Sequence, residues 1–480
     1  MRFQPQIYLK HRWNSTGGYR EILTLAVPLI LSTSAWSIQH FVDRLFLTWH
    51  SPEAIAASMP SGLLNFTIMC LFLGTVSYIN TFVAQYHGAK QPQHIGPSIW
   101  QGIYISIIGA ATLLVLRSFA ETIFTLIGHG GLVYAYEVIY FKVLTLGTFP
   151  ALATAAFSSF FSGRGQTWPL VWINMSATAV NIVLDYALIF GHWGLPAMGV
   201  RGAALATVLS AWSAFTLYLL LIYRKKYRDK YKILSGWRFD RALFTRILRY
   251  GLPNGIQFFL DIAGFTTFLM IMGRLGTTSM AATNIAFNIN NLAFMPMIGI
   301  GIAVSVKVGN YLGENNPDLA ARSAYSGFHL TFFFMATFAV LYVFAPGIFI
   351  RAFGAKSNPQ EFETLREIIR ILLRFVAVYS LFDALNLIFA GAIKGAGDTR
   401  FVMVMIFGLS LFLFVIPSYI ALVVLKANLY VGWTIATIYI SSLGIGFYLR
   451  FRGGKWRAMR VIECPAPCLP SIYLDTPTPN

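Results

Sequence analysis

Residues 246–272 read RILRYGLPNGIQFFLDIAGFTTFLMIM. After its second arginine the segment stays largely apolar for more than twenty residues, enough to cross a hydrocarbon core about 30 Å thick as one helix. Asp261 lies near the middle, and Asn254 and Gln257 precede it by seven and four residues, on the same helical face. Because a charge at bilayer depth costs roughly 3 kcal/mol or more, we expect this polar face to line an internal cavity.

The composition of the whole chain is that of a membrane protein. Of its 480 residues, 56% are hydrophobic and only 11% are charged, whereas soluble proteins carry about 25% charged residues. Long apolar segments predict helices and not a barrel. The net charge of +18 could indicate nucleic acid binding, but the densest basic segment, 223–232, lies between two apolar segments. We therefore expect a cytoplasmic linker beside anionic lipid headgroups, with membrane lipid as a partner and no nucleic acid.

Twelve segments are predicted to span the membrane, which makes the fold class all-α. They run near 21–47, 55–82, 97–116, 132–162, 167–190, 199–223, 246–272, 279–306, 323–345, 365–393, 400–425 and 430–450. An even number of spans places both termini on one side. The termini and every second loop hold most of the 36 Lys and Arg residues. The positive-inside rule then predicts a multi-pass protein of the inner (cytoplasmic) membrane with both termini in the cytoplasm.

An internal repeat divides the spans into two halves of six. At a constant sequence offset of 225, Pro, Gly and Asn residues of the first half align with identical residues of the second half: Pro28 with Pro253, Asn65 with Asn290, Gly74 with Gly299, and Gly88 with Gly313. At an offset of 232, Gly163 and Gly165 meet Gly395 and Gly397. Since each half has an even number of spans, the halves share one orientation and are expected to relate by an axis along the membrane normal.

The repeat and the basic linker divide the chain into five predicted parts. These are a cytoplasmic tail, an N-terminal six-helix bundle, the linker, a C-terminal six-helix bundle and a Pro-rich cytoplasmic tail, at 1–20, 21–223, 224–245, 246–450 and 451–480. The three cysteines, Cys70, Cys464 and Cys468, form no disulfide framework. Cys464 and Cys468 lack neighbouring metal ligands, so we expect no cofactor.

Four carboxylates are predicted at membrane depth, two in each half: Asp43, Asp185, Asp261 and Asp383. Polar residues accompany them at helical spacing, including Asn174, Asn181, Gln257, Tyr379 and Asn386, and a stripe without an acid holds Asn284, Asn288 and Asn291. A buried Asp can simply form a hydrogen bond to a neighbouring helix and hold the bundle together. Alternatively, because burial disfavours its charged form, it binds a proton or holds a cation. An acid that is exposed alternately to both sides is typical of an ion-coupled transporter.

Several stretches together carry a resemblance to a known family. They are GLPNGIQFFLD at 251–261, AATNIAFNINNLAFMPMIGIGIAVSVKVGNYLGENN at 281–316, and GAIKGAGDT at 391–399 with Asp383 eight residues before it. The set resembles the MATE family of multidrug efflux transporters, and the bacterial NorM-like branch in particular. The resemblance implies two six-helix bundles that open as a V. It also implies exchange of Na+ or H+ inward for cationic or amphipathic drugs outward, without enzymatic activity and as a monomer.

The resemblance further implies which residues couple the ion. The family's first-helix acid falls on Asp43, its fifth-helix polar pair on Asn181 and Asp185, its seventh-helix acid on Asp261, and its tenth-helix pair on Tyr379 and Asp383. Asp261 and Asp383 are the candidates for Na+. Amide side chains on the polar faces are predicted to bind substrate: Asn174, Gln257, Asn284 and Asn288. NorM-type relatives more often have Asn at 185, Glu at 261 and a small residue in place of Arg44, which leaves the coupling ion open.

Other functions remain as alternatives. A flippase for lipid or lipid-linked oligosaccharide, from the wider superfamily, predicts a cationic central groove, whereas the inferred cavity is acidic. Gly395-Ala396-Gly397-Asp398 spells the G-x-G-D of an intramembrane aspartyl protease. It falls, however, at a predicted cytoplasmic turn whose repeat counterpart has Gln166 in place of the acid. A passive channel is also possible, although two repeated lobes favour alternating access.

Overall fold

A computed structural model of the chain describes residues 12–354 and 359–463. Within these residues, twelve segments are long and apolar enough to cross a membrane. We number them α1 to α12: Tyr19–His50, Pro52–Gly88, Pro92–Ser118, Gly131–Ser162, Trp168–Phe190, Val200–Ile222, Arg241–Gly273, Thr277–Gly313, Pro317–Phe344, Phe362–Ala396, Thr399–Val424 and Leu429–Arg452. All twelve predicted spans are confirmed. The predicted N-terminal tail before Arg12, and Cys464 with Cys468, lie outside the described residues.

Side-chain caps decide where several helices begin. The helix of α7 starts at Arg241, inside the predicted linker, because the Asp240 carboxylate accepts a hydrogen bond from the backbone N–H of Leu243 at 3.0 Å. Ser51 caps α2, Asn316 caps α9 and Asn428 caps α12 in the same way. Such caps satisfy N–H groups that have no partner within the helix.

The twelve segments form two lobes. In the N-lobe, α1 to α6, α5 packs against α1 and α6, and α2 packs against α4. In the C-lobe, α7 to α12, α10 packs against α8, α9 and α12. Turns after α4 and α10 match in the two lobes, since Gly165 and Gly397 both have positive φ, 75° and 115°, which glycine adopts without strain. The end that carries the 223–240 linker is called the linker end below, and the opposite end the far end.

The interface between the lobes repeats itself in the same register as the sequence. Helix α2 packs against α7, and α8 packs against α1. A Cβ on Gly74 of α2 would lie 2.8 Å from the Cα of Gly255 in α7, and a Cβ on Gly299 of α8 would lie 2.6 Å from Ile30 Cγ1 in α1. Gly299 lies 225 residues after Gly74, and Ile30 lies 225 residues before Gly255, so the two contacts correspond under the sequence repeat. The helices can therefore approach closely because glycine occupies equivalent positions.

The same symmetry recurs at the linker end. A Cβ on Gly88 would collide with the carbonyl oxygen of Asn310, and a Cβ on Gly313 would collide with the carbonyl oxygen of Gln85. Gly88 and Gly313 correspond under the offset of 225, and so do Gln85 and Asn310. The glycine repeat in the sequence thus marks the contact between the two lobes.

Aromatic residues of the basic linker dock on the N-lobe. The guanidinium carbon of Arg164, in the turn after α4, lies 4.9 Å from the ring centroid of Tyr227 and 4.6 Å from that of Tyr231. Trp100 Nε1 also donates a hydrogen bond to Ile233 O at 2.7 Å. Cation–π contacts of this kind stabilise a partly desolvated arginine. The linker is therefore held against one lobe.

Candidate functional site

The N-lobe contains a buried acidic cluster. Helix α1 supplies Asp43, and α5 supplies Asn181 and Asp185, which lie beside it. Asp43 is 5% exposed, and Asn181 and Asp185 are fully buried. Among the described residues, Asp43 Oδ1, both Asp185 oxygens and both polar side-chain atoms of Asn181 have no hydrogen-bond partner. The structure thus brings together the three residues predicted for this lobe.

This N-lobe cluster has the chemistry of a cation site. Two adjacent buried carboxylates repel each other strongly when both are ionised, so a proton on one of them or a cation between them stabilises the pair. The unpartnered oxygens of Asp43, Asn181 and Asp185 are hard ligands of the type that alkali ions prefer. His40, one turn before Asp43, has its Nδ1 3.9 Å from Asp43 Oδ2.

The C-lobe contains a second acidic cluster, formed by α7 and α10. Gln257 Nε2 donates a hydrogen bond to Asp261 Oδ2 at 3.2 Å, and Asn386 Nδ2 donates one to Asp383 Oδ1 at 3.0 Å. The charges of the two carboxylates act on each other. Tyr379 lies one turn before Asp383, and its buried hydroxyl has no hydrogen-bond partner among the described residues. The predicted C-lobe residues therefore also form one group.

Lys394 lies on the linker-end side of this C-lobe cluster, although the sequence places it in a loop. Helix α10 continues to Ala396, so Lys394 lies in its last turn, half-buried, and its charge acts on Asp261. The signal was available: Lys394 follows Asp383 by eleven residues, about three helical turns, and so shares its face. It was missed because the glycines at 391–397 indicate a turn.

The amide side chains predicted to bind substrate have different surroundings. Gln257 donates a hydrogen bond to Asp261, as described above. Asn288 of α8 is exposed and donates to the carbonyl oxygen of Asn284 at 2.8 Å. Asn174 is half-buried and donates to Ser32 Oγ at 2.6 Å, within the N-lobe. Asn254, expected beside Asp261, instead donates to Gly74 O at 2.7 Å, because α2 of the other lobe approaches it.

A site for a transition metal is a poor fit to these clusters. No group of three or more His, Cys, Asp or Glu side chains within residues 12–354 and 359–463 has the arrangement of a metal site. The ligands available are carboxylates mixed with amide and hydroxyl oxygens, which suit a proton or an alkali ion as cargo.

Ion pairing closes the linker end between the lobes. Glu21 of α1 accepts hydrogen bonds from Lys307 Nζ at 2.5 Å and from the Tyr311 hydroxyl at 2.8 Å, both on α8. Its second carboxylate oxygen accepts from Gly17 N at 2.6 Å. The Lys307 side chain is 17% exposed. We call these residues the linker-end lock.

Gln85 adds a second connection at the linker end. Its Nε2 donates to Gly395 O at 2.9 Å, and its Oε1 accepts from the backbone N–H of Val461 at 2.8 Å. The Tyr78 hydroxyl donates to Lys394 O at 2.7 Å. The segment after α12 therefore folds back and joins the N-lobe to the turn after α10. In that turn Asp398 pairs with Arg450 at 2.7 Å, so the G-x-G-D tetrapeptide forms a structural turn.

Several contacts between the lobes lie toward the linker end. The cross-lobe hydrogen bonds described above lie there, and Phe66 and Phe258, whose ring centroids are 6.1 Å apart, make a further contact nearer the middle of α2 and α7. Asp261 follows Phe258 by three residues toward the far end. Asp43 lies thirteen residues beyond Ile30, about 20 Å along α1. Asp261 thus lies about one helical turn from the Phe66–Phe258 contact, and Asp43 lies well beyond the close contact at Ile30 toward the far end.

Comparison with known proteins agrees with this geometry. The profile of the MatE family matches residues 28–187 and 253–420, one match in each lobe. The chain is 30% identical to the multidrug resistance protein PmpM of Pseudomonas aeruginosa over 389 residues, which cover 80% of each chain. It is 26% identical to a probable multidrug resistance protein NorM of Thermotoga maritima over 455 residues, 92% of this chain and 94% of the relative.

Solved structures show the same fold. One, described as the outward-facing conformation of a multidrug resistance MATE family transporter, has a TM-score of 0.82 at 20% identity and covers 92% of this chain and 97% of its own. The eukaryotic MATE transporter AtDTX14 has a TM-score of 0.81 at 19% identity, with coverage of 91% and 96%. The predicted class, twelve helices in two six-helix bundles, and the predicted resemblance are confirmed.

Proposed function

This chain belongs to the MatE family of multidrug transporters and is not an enzyme, and from that premise we propose that it couples inward Na+ or H+ movement to the export of cationic or amphipathic drugs. The observation that carries the proposal is the presence of an acidic cluster in each lobe, in which Asp43, Asp185 and Asp383 are buried and Asp261 is half-buried. Carboxylates at membrane depth are costly, and a cation or proton that offsets that cost becomes a coupled cargo.

The orientation is part of the proposal. We propose that the linker end, with both termini, faces the cytoplasm of a cell whose inner membrane holds the protein as a monomer. The basic residues of the 224–245 linker support this, since Lys and Arg accumulate on the cytoplasmic side. The closed linker end then faces the cytoplasm.

The transport cycle follows from competition for the carboxylates. A cation from outside binds Asp261 with Asp383, or Asp43 with Asn181 and Asp185, and favours the outward-open form that releases drug. After the cation leaves, the free carboxylates attract a cationic drug from the cytoplasm or inner leaflet. A ligand shifts such an equilibrium only by its difference in affinity for the two forms. Cation and drug must therefore bind the two forms with opposite preference.

The flippase alternative has weaker support. A flippase for anionic lipid-linked substrates needs a cationic groove, whereas each lobe contributes two carboxylates. Lys394 offsets one of the four charges in part, so the clusters together retain an acidic character. Drug export is the function that the clusters favour.

Export of a fluorescent monovalent organic cation tests the proposal. In cells that lack their own exporters, expression of the chain should lower steady-state accumulation of such a dye severalfold relative to vector alone. An anionic lipid-linked probe should show no change in its distribution. Equal dye accumulation with and without the transporter, at matched membrane expression, would contradict the proposal.

A further inference from the structure

A groove opens between α7 and α11 near the far end, away from both acidic clusters. Its volume is about 370 Å³. Its lining combines four apolar side chains with three polar ones, namely Met270, Ile271, Val415 and Ile416 together with Thr267, Arg274 and Tyr419. The transport cycle described above makes no use of this groove.

The groove exists because α11 is irregular at this level. Two π-helical stretches, Ser410–Val415 and Ile420–Val424, flank the short helical turn Ile416–Tyr419. Pro417 lies in that turn and has no N–H to donate. π-Helical turns are rare and occur frequently at functional sites. The wider turns interrupt the regular ridge of side chains with which α11 would otherwise fill the surface of α7.

Two of the polar lining residues, Arg274 and Tyr419, are exposed. Arg274 directly follows Gly273, the last residue of α7, and is exposed. No described residue forms an ion pair with Arg274, and Tyr419 is 48% exposed. Arg274 lies at the end of a spanning helix, where Arg and Tyr side chains act as anchors at the level of the lipid headgroups. The groove therefore combines an apolar lining with hydrogen-bond donors near the end of α7.

We propose that this groove binds one anionic phospholipid. An acyl chain lies against Met270, Ile271 and Ile416, while the headgroup phosphate accepts hydrogen bonds from the Arg274 guanidinium and the Tyr419 hydroxyl. The eight residues from Thr267 to Arg274 span about 10 Å of helix, the length of the first several methylene groups of a lipid tail. Charge complementarity selects the anionic headgroup, because the ammonium of a zwitterionic lipid weakens the attraction to an arginine.

The site bears on transport through α7. Asp261 lies on the same helix, thirteen residues before Arg274, so a lipid that bridges α7 and α11 fixes the helix that carries the acid. Assignment of the lipid to the outer leaflet rests on the proposed orientation. Binding itself does not, and it is measured on the purified protein, so a failure of lipid binding and a failure of the proposed drug export are distinguished by separate measurements.

Lipid retention in native mass spectrometry tests the proposal. The full chain is purified in mild detergent and titrated with phosphatidylglycerol or phosphatidylethanolamine. We expect one phosphatidylglycerol to be retained preferentially, and Arg274→Ala to weaken its binding about fivefold, the loss expected for one basic residue at a lipid headgroup. Ile416→Trp, which fills the groove and keeps every charge, should also remove the preference.

A matched control separates this site from general attraction to basic residues. Arg201 is exposed at the far end, at the second residue of α6, and Arg201→Ala should leave phosphatidylglycerol retention unchanged. Equal retention of the two lipids by the wild type would overturn the proposal. It would also be overturned if monodisperse Arg274→Ala and Ile416→Trp proteins both retained phosphatidylglycerol as the wild type does.

Discussion

Asp383→Asn is expected to lower drug export about tenfold or more, in the range set by loss of one charged hydrogen-bonding group. The side chain is 6% exposed and its Oδ1 accepts a hydrogen bond from Asn386. Asparagine preserves the size of the group but carries no negative charge, so neither a coupling cation nor a cationic drug gains attraction there. Asp261→Asn should have a similar effect, because the two carboxylates belong to one cluster. Dye accumulation in expressing cells, normalised to membrane protein, provides the measurement.

The control for this prediction is the same chemical change outside the clusters. Asp229 lies in the basic linker with 58% of its side chain exposed, paired with Arg228. Asp229→Asn should export dye as the wild type does, since an exposed ion pair contributes little. Wild-type export by both Asp261→Asn and Asp383→Asn would remove these acids from the mechanism.

Glu21→Gln is expected to open the linker end. The substitution removes the carboxylate charge that pairs with Lys307 and that accepts a hydrogen bond from the Tyr311 hydroxyl. Breaking a fully buried ion pair costs about 3–5 kcal/mol, but Glu21 is 29% exposed, so a smaller loss of about 1–2 kcal/mol is expected after solvent screening. Amide hydrogen exchange in peptides that cover α1 and α8 near the lock should then accelerate about five- to thirtyfold.

A second ion pair serves as the control for the lock. Lys142 Nζ and Glu121 Oε1 are 2.6 Å apart near the far end, and the Glu121 side chain is 67% exposed. Glu121→Gln should leave exchange at the linker end unchanged. The charge-swapped double variant Glu21→Lys with Lys307→Glu should restore slower exchange relative to each single variant. If Glu21→Gln exchanged at the wild-type rate in these peptides, the lock would have no part in closure.

The features that are local in sequence could be predicted. Apolar length identifies the spanning helices, and helical spacing joins Gln257 to Asp261 and Asn386 to Asp383. The glycine repeat indicates two related halves, since glycine is required where backbones approach closely. The association of Asp43 with Asn181 and Asp185 joins two helices, and it could be expected only from the resemblance to a family.

The features that depend on contact between the lobes could not be predicted. The bond from Glu21 to Lys307 joins residues far apart in the chain, and nothing in the local pattern of either helix specifies the other. Asn254 shares a helical face with Asp261, yet its side-chain amide donates a hydrogen bond to Gly74 O of α2 in the other lobe. The π-helical turns of α11 could not be predicted from the sequence either, because a segment that is apolar on all sides carries no periodic signal.

Drug flux in proteoliposomes with independently imposed Na+ and pH gradients tests the central claim most directly. If cations and drug exchange on the acidic clusters, an imposed gradient of the coupling ion should drive the drug against its own gradient, in the direction opposite to the ion. The Asp383→Asn variant should lose this ion-driven transport of the drug against its gradient. Drug flux that responds to neither gradient in the wild-type protein, with the drug merely equilibrating across the membrane, would contradict cation-coupled export.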